Sequence, residues 1–383
     1  MQHPASKQPL WQYADFHDEF SKYDFSQIKD QIYAKKAQDV ERALNKPQRD
    51  LNDFMALLSP AADGYLEDMA QLSRQLTLKR FGKTLSLYIP LYLSNECHNS
   101  CTYCGFRREN EIPRTTLDQK SVDEEIHVIK KWGYEHVLLV TGDFSRKKSK
   151  AYLDEAMEWV RPHFSQISME VQPLEQEDYE SLIEKGLSGV MIYQETYGPR
   201  YKEYHPKGSK ADFTFRLATP DRLGRAGIHR IGLGVLLGLE DWRTDSWFVG
   251  LHLQYLKQTY WQTKYSISFP RLRPAQGILE PEFPVNDREL VQLITAYRLL
   301  DENLELSLST RESPSFRDHA AMLGVTSMSA GSKTDPGGYA HEGENLEQFS
   351  IHDERSPREI AKMLKKSGME ALFKDWEPHF GMK

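Results

Sequence analysis

The chain holds three cysteines, and all fall in one loop, Cys97-His-Asn-Ser-Cys101-Thr-Tyr-Cys104. Thiolates are soft, negatively charged ligands suited to iron–sulfur clusters or zinc. Three of them in one compact loop can converge on a single centre without a long loop closure. Structural zinc takes four protein ligands; here the fourth would have to be a histidine such as His98, which the tight spacing makes awkward. A cubane cluster held by three thiolates keeps one iron open to a further ligand, and that open position is useful for chemistry. The bland alternative is accidental packing, which the clustering disfavours because free cysteines are ordinarily dispersed core residues. Three cysteines in 383 residues exclude a disulfide scaffold.

The elements that must position this loop begin near residue 84. Short apolar runs there alternate with amphipathic stretches. The strand-like runs are Leu85–Ile89, His136–Val140, Ile167–Val171, Gly189–Tyr193, Arg230–Leu236, Tyr265–Phe269, Leu304–Leu308 and Val325–Met328. Helical spacing runs over Val122–Trp132, Asp178–Lys185, Trp247–Gln262 and Asp287–Asp301. Strands alternating with helices favour a parallel sheet, and eight of them favour a closed (β/α)8 barrel over an open doubly wound sheet. An open sheet stays possible, because strand boundaries are the least certain part of such a reading. In a barrel, chemistry belongs at the carboxyl ends of the strands. Polar clusters stand there: Ser94-Asn95 leading into the cysteine loop, Thr141-Gly142-Asp143, Glu170-Val-Gln172, Gln194-Glu195-Thr196, Arg271-Leu-Arg273, Ser309-Thr310-Arg311-Glu312 and Ser327-Met-Ser329.

The flanks carry no visible catalytic constellation. Residues 1–80 read as a helical extension, with helical periodicity at Asp39–Leu44 and Tyr65–Leu72 and a break at Ser59-Pro60, and are expected to serve as packing and lid. The barrel is expected over 81–335. The tail, 336–383, is rich in glycine and charge, ends in an amphipathic helix near Pro357–Lys366, and is expected to pack on the barrel. A formal net charge of −7 argues against a general nucleic-acid binder. No run approaches the ~20 apolar residues of a membrane span. The opening residues, Met1-Gln-His-Pro-Ala-Ser-Lys, show no apolar signal segment, so a soluble, cytoplasmic protein is expected.

The CxxxCxxC spacing with an aromatic at Tyr103 resembles the radical S-adenosylmethionine (SAM) superfamily. In that superfamily the open iron is chelated by the amino and carboxylate groups of SAM, and an electron from the cluster cleaves SAM to methionine and a 5′-deoxyadenosyl radical. Further motifs narrow the match: Leu91-Tyr92-Leu-Ser94-Asn95, Leu139-Val-Thr141-Gly142-Asp143, Glu170-Val-Gln172-Pro-Leu and Tyr193-Gln194-Glu195-Thr196-Tyr197, then Thr219–Gly227, Ser268-Phe-Pro-Arg271-Leu-Arg273-Pro and Ser307-Leu-Ser309-Thr-Arg311-Glu312. Over about residues 37–380, and in this order, they resemble the 2-iminoacetate synthases, the tyrosine lyases of thiamine thiazole synthesis. The resemblance implies a TIM-like (β/α)8 barrel of the radical SAM type, with a 4Fe–4S cluster and SAM as cofactors. It implies cleavage of the Cα–Cβ bond of L-tyrosine to 2-iminoacetate and 4-cresol, with 5′-deoxyadenosine and methionine formed. It also implies a thiazole synthase partner to receive the imine and a flavodoxin-type reductant.

Roles follow from the resemblance residue by residue. Cys97, Cys101 and Cys104 ligate the cluster. Thr141-Gly142-Asp143 stands where the superfamily has a Gly-Gly-Glu-like turn at the methionine amino group; the acid here is one methylene shorter, so contact needs a water bridge or a shifted turn. The alternative for Asp143 is a helix N-cap. Gln172 and Glu195 bond the SAM ribose or amino group, or brace the barrel. Arg271 or Arg273 pairs with the SAM carboxylate, or with a neighbouring glutamate. Arg311 is the expected clamp for the substrate carboxylate, a task suited to a planar guanidinium; the alternative is a salt bridge to Glu312 or Asp318. Ser329 and Tyr92 supply lesser hydrogen bonds near the substrate, with Ser327 and Ser332 as substitutes for Ser329. His205, His319 and His341 are candidates for the phenol proton by chemistry alone.

Rivals remain. The tyrosine lyase of hydrogenase maturation and biotin synthase both need further cysteines, and none follows Cys104. A tryptophan-cleaving relative would use the same clamp. From another class altogether, a non-catalytic zinc-binding scaffold for the thiazole synthase would need a fourth ligand.

Overall fold

A computed structural model describes residues 15–144, 146–273, 281–341 and 347–374 of the chain. Eight parallel strands close on themselves: β1 (Thr84–Ser94), β2 (His136–Thr141), β3 (Gln166–Glu170), β4 (Leu187–Met191), β5 (Arg230–Leu233), β6 (Lys264–Ser268), β7 (Glu305–Leu308) and β8 (Ser327–Ser329). Each pairs with the next, and β1 pairs with both β2 and β8, which completes the ring. The closed barrel is therefore the outcome, and the open sheet is excluded. A ninth strand, β9 (Glu370–Leu372), adds to the start of β1 in parallel; at three residues it is too short to announce itself in the sequence.

The strands alternate in a way that sets the site. On β1, Leu87, Ile89, Leu91 and Leu93 belong to the main core between sheet and helices. Tyr88, Pro90 and Tyr92, one residue out of phase, line a cavity inside the ring. The same parity holds on β3 (Met169 in the core, Glu170 inside) and β6 (Ile267 in the core, Ser268 inside). It holds again on β7, where Leu306 and Leu308 join the core and Ser307 faces inward. A filled (β/α)8 interior is dominated by branched aliphatics; here polar side chains take many of the inward positions and leave space.

The flanking segments pack on this frame. The helices Leu51–Leu58 and Leu66–Phe81 lie against the barrel helices Trp242–Thr259 and Asp287–Leu300. Gln292 and Arg243 bond the Leu57, Leu58 and Ser59 carbonyls at the end of the first of these helices. Of the described residues 15–81, none lines the internal cavities. At the other end, helix Pro357–Lys366 starts on a Ser356/Glu359 capping box with proline in its first turn.

A buried ion cluster fixes the tail. Asp353, fully buried, accepts from Arg355 Nε at 2.8 Å and pairs with the equally buried Arg317, which also reaches the Ser329 carbonyl at the end of β8. Removing one partner of such a pair strands the other charge, at a cost of roughly 3–5 kcal/mol. Asp353→Asn is thus expected to lose on the order of 3 kcal/mol in urea unfolding, and an unchanged midpoint would show that the cluster does not fasten the tail.

Candidate active site

The cysteine loop follows β1 and is braced from three sides. His98 N donates to the Asp143 carbonyl at 2.7 Å. Asn99 Nδ2 donates to the Asp143 carboxylate at 2.6 Å, and Ser209 Oγ reaches the same oxygen at 2.5 Å. Thr102 N and Ser100 N donate to the carbonyls of Tyr204 and Lys207. Gly142 is dictated by this close approach: a Cβ there would sit 2.1 Å from the Glu96 carbonyl oxygen and 3.2 Å from Cys97 Cβ. Asp143 therefore spends its carboxylate on the cysteine loop and the Ser209 turn, and the helix after it begins only at Arg146, so it is not that helix's cap.

All three cysteines line one cavity, together with Thr141, Gly142, Asp143, Gln172, Glu195 and Arg273. Burial pushes the Cys97 thiol up to about 11, with the Cys104 thiol adding to it, and lifts Cys101 to about 12 against the pull of Lys210. Thiolates in such surroundings need a cationic centre to balance them, which a metal cluster supplies. Two polar atoms, Thr141 Oγ1 and Gln172 Oε1, are buried without a hydrogen-bond partner. Unsatisfied groups of this kind in a cavity wall suit a polar ligand. The donor set thus fits a cluster with three protein ligands and a polar molecule beside it.

Glu195 is the one described non-glycine residue with positive φ, at 71°. That conformation costs about 1–3 kcal/mol and persists only when surroundings impose it. Lys210 Nζ at 2.5 Å, Arg216 Nη2 at 3.6 Å and the bond from Leu236 N to its carbonyl do so. Burial works to raise its pKa, yet Lys210 and Arg216 prevail and hold it below the ordinary glutamate range. Lys210, Arg216 and Asn99 were not legible as site residues: they come from loops and a short helix without periodicity.

Arg271 does not line the cavity. Its Nε lies 3.0 Å from Glu312, its Nη2 also contacts Glu312 and lies 2.8 Å from Asp287, and its Nη1 bonds the Val285 carbonyl. The glutamate alternative is the one realised for this residue. Arg273 shares Glu312 at 3.0 Å but does line the cavity, with Nε buried and unpartnered.

A second cavity lies deeper in the barrel, lined by Tyr88, Tyr92, Ser307, Ser309 and Ser329, among others. Val140, Glu170, Tyr193, Pro270, Arg311 and Phe349 border both cavities. Arg311 stacks on Phe349, 3.3 Å from the ring centre. Glu312 is taken by Arg271 and Arg273, and Asp318 by Arg355, so neither salt bridge considered for Arg311 forms. Among the described residues its guanidinium has no carboxylate partner, and desolvation lowers its pKa. Opposite in charge stands Glu170, a residue to which the sequence reading gave no role. Burial lifts it to about 7 while Arg311 pulls it down.

Ser329 Oγ accepts from Thr310 N at 3.2 Å and lies beside the Tyr88 hydroxyl. Tyr92 donates to Gln348 at 2.7 Å. Ser332 lines the deeper cavity and its hydroxyl has no partner; Ser327 does not line it. None of the three histidines borders either cavity. His205 bonds Tyr103 and the Tyr201 carbonyl, and burial depresses it to about 3; His319 bonds the Ser315 carbonyl and His341 pairs with Glu124.

Comparison with known proteins agrees with this geometry. The Radical SAM superfamily profile matches residues 91–245, and that of the Biotin and Thiamin Synthesis associated domain matches 268–370. The 2-iminoacetate synthase of Escherichia coli K12 is 52% identical over 368 residues, 96% of this chain and 98% of the relative. That of Salmonella typhimurium LT2 is 51% identical over the same shares. Among solved structures, the FeFe-hydrogenase maturase HydG from Carboxydothermus hydrogenoformans superposes with a TM-score of 0.82 at 30% identity, over 94% of this chain and 83% of that one. Methylornithine synthase, at 18% identity and a TM-score of 0.69, shares the fold. No described helix is long and apolar enough to cross a membrane. With a three-cysteine loop at the mouth of a closed barrel and relatives that match it end to end, this chain belongs to the 2-iminoacetate synthase family of radical SAM enzymes.

Proposed function

We propose that the two joined cavities divide the work of this lyase, with cofactors beside the cysteine loop and the amino-acid substrate deeper in the barrel. The reaction is cleavage of the Cα–Cβ bond of L-tyrosine to 2-iminoacetate and 4-cresol, with a 4Fe–4S cluster and SAM as cofactors. When bound, these supply the adenosyl radical that takes a hydrogen atom from the substrate. Cys97, Cys101 and Cys104 hold the cluster. Thr141, Gly142, Asp143, Gln172, Glu195 and Arg273 are the residues that hold SAM. Arg271 positions Glu312 and, through it, Arg273.

The observation that carries the substrate reading is the pair Arg311 and Glu170. A cavity wall that presents one half-buried guanidinium and one half-buried carboxyl, neither bonded elsewhere among the described residues, matches the carboxylate and ammonium of an amino acid. Both border the two cavities, so the reacting end of the substrate is held where they meet, and its side chain extends among Tyr88, Tyr92, Ser307 and Ser329. Hydroxyls there suit a phenol better than an indole, which donates but does not accept. Tyr92 and Ser329 thus orient the ring end. Barrel walls and the apolar patch of Tyr92, Phe106, Leu138 and Val140 keep water from the radical. Because imines hydrolyse in water, a thiazole synthase partner collects the product, and a flavodoxin-type reductant provides the electron.

Anaerobic incubation of the reconstituted enzyme with SAM, reductant and tyrosine is expected to yield 4-cresol. Arg311→Ala is expected to lower kcat/KM by about a hundredfold, on the scale of roughly 2–3 kcal/mol for a charged hydrogen-bonded pair, with iron and sulfide content unchanged. Undiminished turnover would remove the clamp.

Glu170 makes a pH-dependent prediction. Its pKa rises from 4.5 to about 7 on folding, so the folded protein retains a proton that the unfolded chain releases. Stability therefore falls as pH rises from 4.5 to 7, by roughly 3 kcal/mol in all. Glu170→Gln is expected to stabilise the apoprotein more at pH 8 than at pH 5 while weakening tyrosine turnover. Urea unfolding at the two pH values checks this, and an equal gap at both would contradict it.

A further inference from the structure

One side chain outside the roles assigned above joins the substrate end of the cavity to the cysteine loop. Gln348 belongs to the segment after β8. Its amide nitrogen lies 3.7 Å from Cys104 Sγ, and its amide oxygen accepts from the Tyr92 hydroxyl at 2.7 Å. These two contacts are mutually consistent. A phenol that donates must meet the oxygen, and the amide's N–H groups are then turned to the sulfur.

The backbone around it is pinned as well. Gln348 N donates to the Thr334 carbonyl at 2.9 Å. On its other side Gly105, the residue after Cys104, comes so close that a Cβ would sit 2.6 Å from the Gln348 carbonyl oxygen. On one side an apolar patch of Tyr92, Phe106, Leu138 and Val140 packs against Cys97 and Cys104. In such a medium a single N–H dipole acts strongly on a neighbouring charge.

The sulfurs are not served alike. The backbone amides of Asp143 and Asn99 lie beside Cys97 and work against the burial that raises its thiol. Cys104 instead faces a side-chain amide, which substitution can alter without moving the loop. A hydrogen bond to a ligating sulfur draws charge from it and favours the reduced, more negative cluster.

We propose that Gln348 is a positioning residue for the cluster, donating an N–H···S hydrogen bond to Cys104 in an orientation fixed by Tyr92. The inference rests on the three-cysteine ligation assigned above. The test is an anaerobic redox titration of the full-length reconstituted protein, followed by electron paramagnetic resonance of the reduced cluster. Gln348→Leu and Gln348→Glu are both expected to shift the midpoint to more negative potential, the glutamate further because it places an anion by the sulfur. Tyr92→Phe frees the amide and is expected to give a smaller shift in the same direction. If Gln348 merely braced the segment, the uncharged Gln348→Leu would leave the midpoint in place once iron and sulfide are fully loaded, whereas the Gln348→Glu shift alone would report only the added charge. A wild-type midpoint in Gln348→Leu at full iron and sulfide content would overturn the proposal. Should the Gln348 variants fail to assemble a cluster, the Tyr92→Phe midpoint decides, and an unshifted value overturns the proposal. Cys104→Ala tests the underlying ligation separately: full cluster retention there would refute the ligation, whatever Gln348 does.

Discussion

A guanidinium kept inside a barrel with no hydrogen-bonded carboxylate among the described residues, faced only by a partly ionised Glu170, is the constraint on which this site depends. Desolvating such an ion costs several kcal/mol unless a partner compensates. The nearest acids in sequence are diverted, Glu312 to Arg271 and Arg273 and Asp318 to Arg355. Glu170 offsets the charge of Arg311 electrostatically, and burial leaves that carboxyl itself half-ionised near neutral pH. In the proposed reading, the cavity wall offers this guanidinium and carboxyl to the carboxylate and ammonium of an amino acid. Stability is given up at these positions for recognition.

The closed sheet makes this arrangement possible. Strand residues two apart share a face, so Ser307 and Ser309 point inward with Arg311 continuing the row, while Leu306 and Leu308 feed the surrounding core. The same alternation carries Tyr88 and Tyr92 to the deeper cavity, directly below the loop that follows β1. The loop is held by atoms of distant segments, the Asp143 turn and the Tyr204–Ser209 stretch, and so depends on the whole upper rim. Strained Glu195 belongs to that rim, fixed by Lys210 and Arg216.

Much of this was legible in the sequence, and for identifiable reasons. Eight strand positions and the terminal helix Pro357–Lys366 follow from periodicity and capping chemistry. The cysteine loop follows from spacing, and the role expected of Arg311 from the resemblance of its motif to the family's. One signal was present but unread, the inward polar parity of residues such as Tyr88 and Ser268; the acid at the end of β3, Glu170, stood among the polar strand ends but carried no role of its own. Both need the barrel to be closed before inside and outside have meaning. Other contributors left no local trace. Gln348 and Phe349 reach the cavity from a tail more than 200 residues after Tyr92 in the chain, and the partner of Arg271 depends on how β6 and β7 lie side by side. Such contacts are products of tertiary geometry.

The central claim, that the paired charges of Arg311 and Glu170 read the zwitterion, is tested most directly by calorimetric titration of the reconstituted enzyme with truncated ligands. L-Tyrosine should bind, whereas tyramine, lacking the carboxylate, and 3-(4-hydroxyphenyl)propanoate, lacking the ammonium, should each bind at least about tenfold more weakly, the equivalent of 1.4 kcal/mol or more per lost ionic contact. Tyramine binding as tightly as tyrosine would contradict the account.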